Sequence, residues 1–366
     1  MVKSAVVSIE VSSFSCKTVC SLCEKYSRPA LALGLSKKLD ISRSFIRIFM
    51  ALPRRYSRSL QKVQVNLTFY SLIRTFAYRK KRRRMITFPN AKINIGLQVT
   101  ERRPDGYHNL DTVFYPIPLH DALEVIVAKD ANYDCRLHLS GVEVAGDPDS
   151  NLVVRAYRLL AADYTLPPVD IYLHKHIPTG AGLGGGSADA SYMLRMLNEM
   201  FSLGISTENL ESYAARLGAD CPFFITCNPV YATGIGNEFH PITLNLGGWH
   251  LVVVKPDVFV STKEAYSMVR PEKPEVTLDK KITAPICEWK STISNDFEQG
   301  IFALHPELLG IKKKLYELGA VYAAMSGSGS ALFGLFHEPV ENIEKHFVGC
   351  FCDQQKLPDS HRGVSQ

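Results

Sequence analysis

Apolar residues recur along the chain with two different spacings, which predict helices in some stretches and strands in others. Positions three or four residues apart, typical of one face of a helix, are found at Ala190, Met193, Leu194, Leu197 and Met200. Positions that alternate with polar residues, typical of a half-buried strand, are found at Ala91, Ile93 and Ile95. The chain is therefore predicted to contain both kinds of element.

The same spacings predict the remaining elements. Strands are predicted at residues 86–88, 109–115, 123–127, 135–139, 169–173, from 223, at 249–256 and at 332–336. Helices are predicted at residues 151–162, 188–201, 207–217, from 262 with Thr262 as N-cap, from 295, and from 306 to 318. The sequence has no run of 18 apolar residues, so we expect no helix that spans a membrane.

The helix predicted at residues 188–201 follows directly on a loop with five glycines in seven residues, Gly180-Ala181-Gly182-Leu183-Gly184-Gly185-Gly186. Glycine lets a backbone approach a ligand closely and adopt a positive φ without strain. Free N–H groups at the start of a helix, together with the helix dipole, form an anion site. The first glycine loop, residues 178–187, is therefore predicted to bind the phosphates of a nucleotide.

Standard nucleotide motifs fit this loop poorly. Three of its glycines satisfy the dinucleotide pattern G-x-G-x-x-G, but Pro178 interrupts the approach from the strand, and the acidic residue at the usual distance, Glu199, falls inside the helix. The Walker A pattern requires a lysine where this chain has Gly186. A flexible linker is the remaining alternative, although linkers usually carry polar repeats. We favour a nucleotide phosphate loop of neither standard type.

The net charge of +6 hides an uneven distribution along the chain. Residues 1–87 hold 19 of the 42 Lys and Arg and 3 of the 36 Asp and Glu, a net charge of +16. The rest of the chain therefore holds 23 basic and 33 acidic residues, a net charge of −10. An acidic globular part argues against a protein whose core binds nucleic acid.

The basic leader, residues 1–84, is rich in Ser and Arg and ends in Arg79-Lys80-Lys81-Arg82-Arg83-Arg84. It is an organellar transit segment, a nucleic-acid-binding arm or nuclear signal, or a stretch upstream of a true translation start at Met85. We favour the third interpretation, because Met85 directly precedes the first predicted strand. That interpretation places the protein in the cytoplasm, whereas a real transit segment would place it in a plastid or another organelle.

The nine cysteines are scattered, with Cys16, Cys20 and Cys23 in the leader. An odd number without a repeated CxxC pair predicts free thiols in a reducing compartment. Cys350 and Cys352 lie close together, but no matching His or Cys cluster supports a zinc site. The sequence therefore identifies no metal ligands.

Two polar segments near the start of the acidic part are candidates for ligand contacts. Lys92 and Asn94 share one face of a predicted strand, where they either contact a substrate or face solvent. The turn signal Pro104-Asp105-Gly106 places Tyr107 and His108 at the end of a hairpin. There the two side chains either stack on a base and bond its edge, or serve as a packed tyrosine and a solvent-facing histidine.

Two later segments complete the set of candidates. Asp220 lies in a short turn between a predicted helix and the strand predicted from residue 223, where a carboxylate either caps local N–H groups or acts as a base. A second glycine loop, residues 325–331, precedes a predicted strand. The two glycine loops either close around one ligand from two domains, or the second is an ordinary hairpin turn.

Three of these segments together resemble the GHMP small-molecule kinase superfamily, named for galactokinase, homoserine kinase, mevalonate kinase and phosphomevalonate kinase. They are residues 89–97, 178–190 and 324–333, and the resemblance extends from about residue 85 to about residue 351. The segment Asp105-Gly106-Tyr107-His108 is similar to that of members acting on a cytidine-diphosphate sugar alcohol. It separates this chain from other branches of the superfamily.

The resemblance implies a two-domain α+β fold. Residues 85–242 would form an N-terminal domain like domain 2 of ribosomal protein S5, residues 243–356 a ferredoxin-like C-terminal domain, and residues 357–366 a polar tail. It also implies a kinase that uses ATP and Mg²⁺ to phosphorylate the 2-hydroxyl of 4-diphosphocytidyl-2-C-methyl-D-erythritol in the non-mevalonate route to isoprenoid precursors. We expect a monomer or homodimer without nucleic-acid or membrane partners.

The resemblance assigns roles to individual residues. Asp220 would accept the proton of the attacking hydroxyl, and Lys92 would keep Asp220 ionised and orient that hydroxyl. Expected contacts to ATP are Pro178, Gly180, Gly182, Leu183, Gly184, Gly185, Gly186 and Ser187. Expected contacts to the second substrate are Asn94, Tyr107, His108, Phe259, Thr262, Gly327, Ser328 and Gly329. Among these, Tyr107 and Phe259 would enclose the cytosine and His108 would bond its edge.

Overall fold

The structure of the protein is a computed structural model that describes residues 84–129 and 131–359. The predictions made for the leader before Arg84, and for the tail beyond Asp359, lie outside these residues. The described strands form three four-stranded sheets. Among the described helices, none has both the length and the apolar character needed to cross a membrane.

The first sheet supports the first glycine loop and has the strand order β1-β4-β6-β5. Its strands are β1 (Arg84–Thr87), β4 (Ala122–Val127), β5 (Cys135–Gly141) and β6 (Val169–Lys175). β5 and β6 run parallel, so their connection must cross over, and it contains helix α1 (Leu152–Ala161). Asn151 caps α1, its side-chain oxygen accepting a bond of 3.0 Å from the Val153 N–H.

Helices cover one face of this sheet. They are α1, α2 (Gly185–Phe201), α3 (Thr207–Ala215) and α4 (Phe223–Thr226). The alternate residues Val169, Ile171 and Leu173 of β6 are buried and share a core with the apolar faces of these helices. Because β6 leads into the first glycine loop and α2 leads out of it, this packing fixes both ends of the loop.

The second sheet carries the lysine and asparagine singled out in the sequence. Its order is β2-β3-β7-β8, with β2 (Asn90–Arg102), β3 (His108–His120), β7 (Val230–Thr233) and β8 (Glu238–Pro241), all antiparallel. The expected hairpin turn joins β2 to β3, closed by a bond of 2.8 Å from the Arg103 N–H to the Tyr107 carbonyl. β2 is buried on both faces, since Lys92 and Asn94 on one face are 3% and 2% exposed and Ile93 on the other is 0% exposed. The solvent-facing alternative for these two residues is therefore excluded.

The third sheet has the order β10-β11-β9-β12. Its strands are β9 (His250–Lys255), β10 (Tyr322–Met325), β11 (Leu332–Phe336) and β12 (Phe351–Lys356). The helices of this half are α5 (Thr262–Met268), α6 (Leu278–Lys281), α7 (Ile286–Thr292), α8 (Phe297–Leu304), α9 (Pro306–Glu317) and α10 (Ile343–His346). Val252 and Val254 pack with α8 and α9, whereas Leu251 and Val253 pack with residues of β2 and β3. The third sheet is therefore buried on both faces, between the helices α8 and α9 on one side and the second sheet on the other.

Most predicted elements are present, but several boundaries differ. Helix α2 begins at Gly185, three residues earlier than predicted, because Gly184 turns the chain through a φ of +73° and the next two glycines adopt helical geometry. The apolar segment from Phe223 is the short helix α4 rather than a strand, because Pro222 starts a helical turn. The N-cap of α5 is Ser261, and Thr262 is its first helical residue.

The end of the described chain is less polar than expected. Leu357, which we assigned to the tail, is 1% exposed, and its N–H donates a bond of 2.8 Å to the Trp249 carbonyl. Asp359 accepts a bond from Asn245 through its backbone carbonyl. The packing of the third sheet therefore continues just past β12.

Candidate active site

The first glycine loop ends in a helix start without a side-chain cap. The first backbone bond of α2 runs from the Ala188 N–H to the Gly184 carbonyl, at 2.9 Å. The N–H groups of Gly185, Gly186 and Ser187 precede that bond and so have no acceptor within the helix. Helix starts of this kind favour anions because of the helix dipole, so this geometry is the one that the predicted anion site requires.

A cavity of about 400 Å³ opens at this helix start. Its lining consists of residues 178–187, the segment around residues 144–152 on one side, and the buried side chains of Lys175 and Asp189 below. Pockets of this size hold small organic ligands. The cavity therefore offers room for a ligand group beside the exposed N–H groups.

The two glycine loops contact each other directly, backbone against backbone. A Cβ at Gly182, whose φ is +75°, would lie 2.0 Å from the Ser326 carbonyl oxygen. The Ser326 hydroxyl donates to the Gly182 carbonyl at 2.9 Å, and the Ala331 N–H donates to the Ala181 carbonyl at 3.2 Å. The second glycine loop is therefore part of the same site rather than an isolated hairpin turn.

Two residues that the sequence analysis did not connect to the second loop hold it in place. The amide of Asn295, just before α8, donates to the Met325 and Gly327 carbonyls at 2.8 Å each. Glu298 accepts the Met325 N–H at 2.8 Å. The available signal was the position of Asn295 at the start of a predicted helix. Capping motifs give no hint of a distant loop, because the contact exists only after folding.

Lys92 and Asp220 lie together at the first glycine loop. The Nζ of Lys92 is 3.5 Å from Oδ2 of Asp220 and donates to Oδ1 of Asn94 at 2.6 Å. It also lies 4.7 Å from the centre of the Phe114 ring. The Lys92 N–H donates to the Leu183 carbonyl at 2.9 Å, which ties the lysine strand to the loop. The ammonium is thus held between the backbone of the first glycine loop and a carboxylate.

The surroundings of this pair differ for its two members. The Lys92 side chain is 4% exposed, whereas that of Asp220 is 35% exposed and accessible from solvent. Burial lowers the pKa of Lys92 from its ordinary value, and the negative charge of Asp220 opposes that shift. The amide of Asn94 is fixed in turn by a bond of 2.9 Å to the Thr112 hydroxyl. The ammonium is therefore oriented from one side and compensated from the other.

An aromatic cluster lies at the end of the β2–β3 hairpin. The His108 ring stacks on the Tyr266 ring of α5, with centroids 4.9 Å apart and an angle of 21°. Tyr266 in turn meets the buried Phe297 edge to face. Burial, together with the charge of Asp220, raises the pKa of Tyr266 to about 12. Tyr266 therefore belongs to the region between His108 and Asp220.

The two rings of the hairpin end are in different environments. Tyr107 is 61% exposed, so its face is available to a ligand. Burial and the nearby Arg102 lower the pKa of His108, so its imidazole is neutral at neutral pH and offers one donor and one acceptor. Sequence analysis missed Tyr266, although its spacing of four residues from Thr262 on a helix was a usable signal.

Phe259 and Thr262 lie at different loops. Phe259 is 75% exposed, and its ring edge would be 3.3 Å from a Cβ built at Gly180, in the first glycine loop. The Thr262 hydroxyl lies 3.3 Å from the Ser328 hydroxyl, in the second. The aromatic partner that the structure gives to His108 is Tyr266, while Phe259 lies beside Gly180.

Comparison with known proteins gives matches to both halves of the described chain. The model of the GHMP kinases N terminal domain matches residues 151–228, and that of the GHMP kinases C terminal domain matches residues 288–351. A 4-diphosphocytidyl-2-C-methyl-D-erythritol kinase of Bacteroides fragilis is 59% identical over 274 residues, which are 75% of this chain and 100% of the relative. The chain belongs to the GHMP kinase family, in the branch of the 4-diphosphocytidyl-2-C-methyl-D-erythritol kinases.

Other relatives agree with this placement. The kinase of the same name from Porphyromonas gingivalis is 47% identical over 277 residues, covering 75% of this GHMP kinase and 100% of the relative. A crystal structure of 4-(cytidine 5′-diphospho)-2C-methyl-D-erythritol kinase is 33% identical with a TM-score of 0.65, covering 75% of this chain and 100% of that one. A homoserine kinase from Cytophaga hutchinsonii is 16% identical with a TM-score of 0.55, covering 77% and 97%, and shares the fold.

The expected fold class and the expected kind of enzyme are thus confirmed. This GHMP kinase is a small-molecule kinase with the two-domain α+β fold of its family. ATP is the phosphoryl donor that kinases of this family imply.

The contact between the glycine loops of this GHMP kinase is tested by Gly182→Ala. The new Cβ would collide with the Ser326 carbonyl at a strained φ, so we expect unfolding free energy to fall by about 2 kcal/mol or more. Urea unfolding and the binding of a fluorescent ATP analogue measure the two effects. Gly310→Ala is the matched control, since it lies inside α9 with open space around it and should stabilise by about 1 kcal/mol. Unchanged stability and binding in Gly182→Ala would contradict the contact.

The buried ammonium of this GHMP kinase is tested by Lys92→Met. Removing a desolvated charge leaves Asp220 hydrated, so we expect unfolding free energy within about 1 kcal/mol of wild type or above it. The phosphorylation rate should nevertheless fall at least about 100-fold, since preorganised charge is lost. Lys314→Met, which breaks an exposed pair with Glu317, is the control and should keep the full rate. A loss of stability above about 2 kcal/mol would show that Lys92 serves the fold.

Proposed function

We propose that this chain transfers the γ-phosphoryl group of ATP to the 2-hydroxyl of 4-diphosphocytidyl-2-C-methyl-D-erythritol. The reaction belongs to the non-mevalonate route to isoprenoid precursors. The observation that carries the proposal is the position of the Lys92–Asp220 pair, 3.5 Å apart, at the first glycine loop. The names of the relatives supply the acceptor, since they act on a 4-diphosphocytidyl-2-C-methyl-D-erythritol.

The triphosphate of ATP binds at the first glycine loop. Phosphoryl transfer depends mainly on positioning and on stabilising charge, and the N–H groups of Gly185, Gly186 and Ser187 provide both at the start of α2. The nucleoside part occupies the cavity between this loop and residues 144–152. In this arrangement the terminal phosphate points toward Lys92, whose strand is bonded to Leu183 of the loop.

The nucleotide would bring Mg²⁺ to the first glycine loop as its own complex. In phosphate sites this ion keeps several waters and takes most other ligands from the phosphates, with one or two from the protein. Among the described residues there is no cluster of three or more His, Cys, Asp or Glu that could hold a metal ion. The residues therefore fit an ion bound as a nucleotide complex rather than in a protein cage. When bound, Mg²⁺ screens the charge of the phosphates.

Asp220 and Lys92 prepare the acceptor. The hydroxyl oxygen forms a bond to the γ-phosphorus, the bond from that phosphorus to the bridging oxygen of ADP breaks, and the hydroxyl proton passes to the Asp220 carboxylate. Asp220 is suited to this because it is partly exposed and therefore within reach of a substrate. Lys92 attracts and orients the carboxylate by its charge and lies where negative charge develops.

Aromatic side chains bind the cytosine. We place the base between Tyr107, which is exposed at the hairpin end, and Tyr266, which α5 and Phe297 hold rigidly. Stacking on a tyrosine face provides affinity, and the neutral His108 bonds the edge of the base. Since the His108 ring stacks on Tyr266, a base that takes this face requires the His108 ring to swing to the edge of the base.

The remaining predicted contacts surround the rest of the second substrate. Thr262 and Ser328 present neighbouring hydroxyls at the second glycine loop, where they can bind the diphosphate. Gly327 and Gly329 belong to the same loop, and their backbone lies against the first glycine loop. Asn94 acts through Lys92, to which it is bonded. Phe259, beside Gly180, contacts the substrates at the triphosphate end rather than at the cytosine.

A different acceptor is the alternative within the family. Homoserine and mevalonate kinases share the fold, but identities of 16% and 15% carry no information on the substrate. Neither acceptor contains a base, so neither would use the tyrosine faces of Tyr107 and Tyr266 or the edge-bonding His108. The acceptor assay below separates these possibilities.

The decisive experiment measures ADP release in a coupled assay with three acceptors and Mg-ATP. We expect turnover with 4-diphosphocytidyl-2-C-methyl-D-erythritol and none above background with homoserine or mevalonate. Asp220→Asn should lower kcat by about 100-fold or more while ATP-analogue affinity stays within about threefold, because the base is lost and the loop is not. Turnover with mevalonate or homoserine would refute the acceptor, and full kcat in Asp220→Asn would refute the base.

Tyr266 is tested by two replacements. Tyr266→Leu removes the stacking face and should raise KM for the cytidine substrate by about 10-fold or more, with KM for ATP unchanged. Tyr266→Phe keeps the ring and should stay within about threefold of wild type, which makes it the matched control. Steady-state kinetics with each substrate varied in turn measure both constants. An equal rise of both KM values in Tyr266→Leu would mean that Tyr266 only supports the fold.

A further inference from the structure

A cluster of three charged side chains lies buried beneath the first glycine loop and has no part in the mechanism above. It consists of Lys175 at the end of β6, Asp121 in the turn before β4, and Asp189 in the second turn of α2. Their side chains are 3%, 0% and 3% exposed. We call this cluster the buried triad.

The buried triad is in direct contact with the phosphate-binding backbone. Lys175 and Asp189 line the cavity at the first glycine loop. A Cβ built at Gly185, one of the residues with a free N–H, would lie 3.3 Å from the Lys175 Nζ. Any anion held by the first turn of α2 is therefore only a few ångströms from the triad.

The two carboxylates of the triad have unequal partners. Asp121 accepts the N–H groups of His176 and Ile177, at 2.6 Å and 2.9 Å, in addition to the ammonium of Lys175. Asp189 accepts the ammonium at 2.7 Å through Oδ2 and lies beside the Asp121 carboxylate, which disfavours a second negative charge there. Its Oδ1 is buried and has no hydrogen-bond partner among the described residues. Of the two carboxylates, Asp189 is thus the less well compensated.

The net charge of the triad explains why the Asp189 carboxylate is not fully compensated. One ammonium and two carboxylates have a net charge of −1, and they are shielded from water beneath a site for anions. Lys175 on β6 and Asp121 before β4 are the charged groups that act on Asp189 from the elements packed around it. Burial, reinforced by Asp121 and opposed by Lys175, raises the pKa of Asp189 to about 7. A proton on Asp189 makes the triad neutral.

We propose that Asp189 is a positioning residue that takes up a proton when a nucleotide triphosphate binds at the first glycine loop. This inference rests on the proposed binding of ATP there. The proton comes from solvent and bonds to an oxygen of Asp189, and no other bond changes. With Asp189 neutral, the ammonium of Lys175 is no longer outweighed by two carboxylates and stabilises the phosphates through the backbone of Gly185.

The direction of the coupling follows from electrostatics. Negative charge brought close to a carboxylate disfavours its ionised form, so the bound triphosphate stabilises protonated Asp189. By linkage, the protonated protein binds nucleotide more tightly, and the Asp189-dependent part of the affinity falls as pH rises through the pKa in the complex. Asp189→Asn has the shape of the neutral acid but no proton to gain.

Calorimetric titration with β,γ-imido-ATP and Mg²⁺ tests this directly. Titrations in Tris and in Hepes at about pH 8, above the pKa of the terminal phosphate, give the number of protons taken up from the dependence of heat on buffer. We expect wild type to take up about 0.3 to 1 proton per nucleotide more than Asp189→Asn. Affinity of wild type should also fall between about pH 7 and pH 9, more steeply than that of the variant. Equal proton uptake and equal slopes would overturn the proposal.

Asp353→Asn is the matched control, because burial also raises the pKa of Asp353, which lies on β12 outside the cavity. This variant should take up as many protons as wild type. If Asp189→Asn does not fold, wild type alone decides, since no uptake anywhere between about pH 7 and pH 9 overturns the proposal. Absence of nucleotide binding in wild type would refute the proposed function as well, whereas binding without excess uptake refutes only the role of Asp189.

Discussion

The close contact of two glycine loops is the constraint on which the rest of the site depends. Gly182 has no Cβ, so its backbone can lie against the Ser326 carbonyl, and the Ser326 hydroxyl donates to the Gly182 carbonyl. This contact brings the loop before α2, a helix that packs on the first sheet, against the loop that connects β10 and β11 of the third sheet. The N–H groups at the start of α2 and the second glycine loop, beside Thr262, are therefore held next to each other in one site.

Buried charge around the first glycine loop is the second feature on which this site depends. Lys92 lies on one side of the first glycine loop with a partly exposed carboxylate, and Lys175 lies beneath the loop with two buried ones. Charges removed from water interact strongly with an anion because little solvent screens them. Each lysine is fixed by hydrogen bonds within the protein. The side chains around the first glycine loop therefore need little rearrangement to receive phosphates.

The proposed specificity for a base depends on elements that are distant in the chain. The hairpin between β2 and β3 supplies Tyr107 and His108, and α5 supplies Tyr266, which Phe297 supports from behind. The same helix begins at Thr262, beside the second glycine loop. One short helix therefore links the aromatic cluster to the phosphate-binding loops, which explains how a substrate with a base at one end and a hydroxyl at the other can be aligned.

Local sequence determined the elements and the character of each loop, because helix and strand spacing and the freedom of glycine act over a few residues. It thus predicted the hairpin and singled out Lys92 and Asp220, which lie 3.5 Å apart, whereas phosphate binding by the first glycine loop stays a prediction. It did not predict the contact of Tyr266 with His108, the hydrogen bonds from Asn295 to the second glycine loop, or the burial of Lys175 with two carboxylates. Those depend on contacts between residues far apart in the chain, which only the tertiary structure brings within bonding distance.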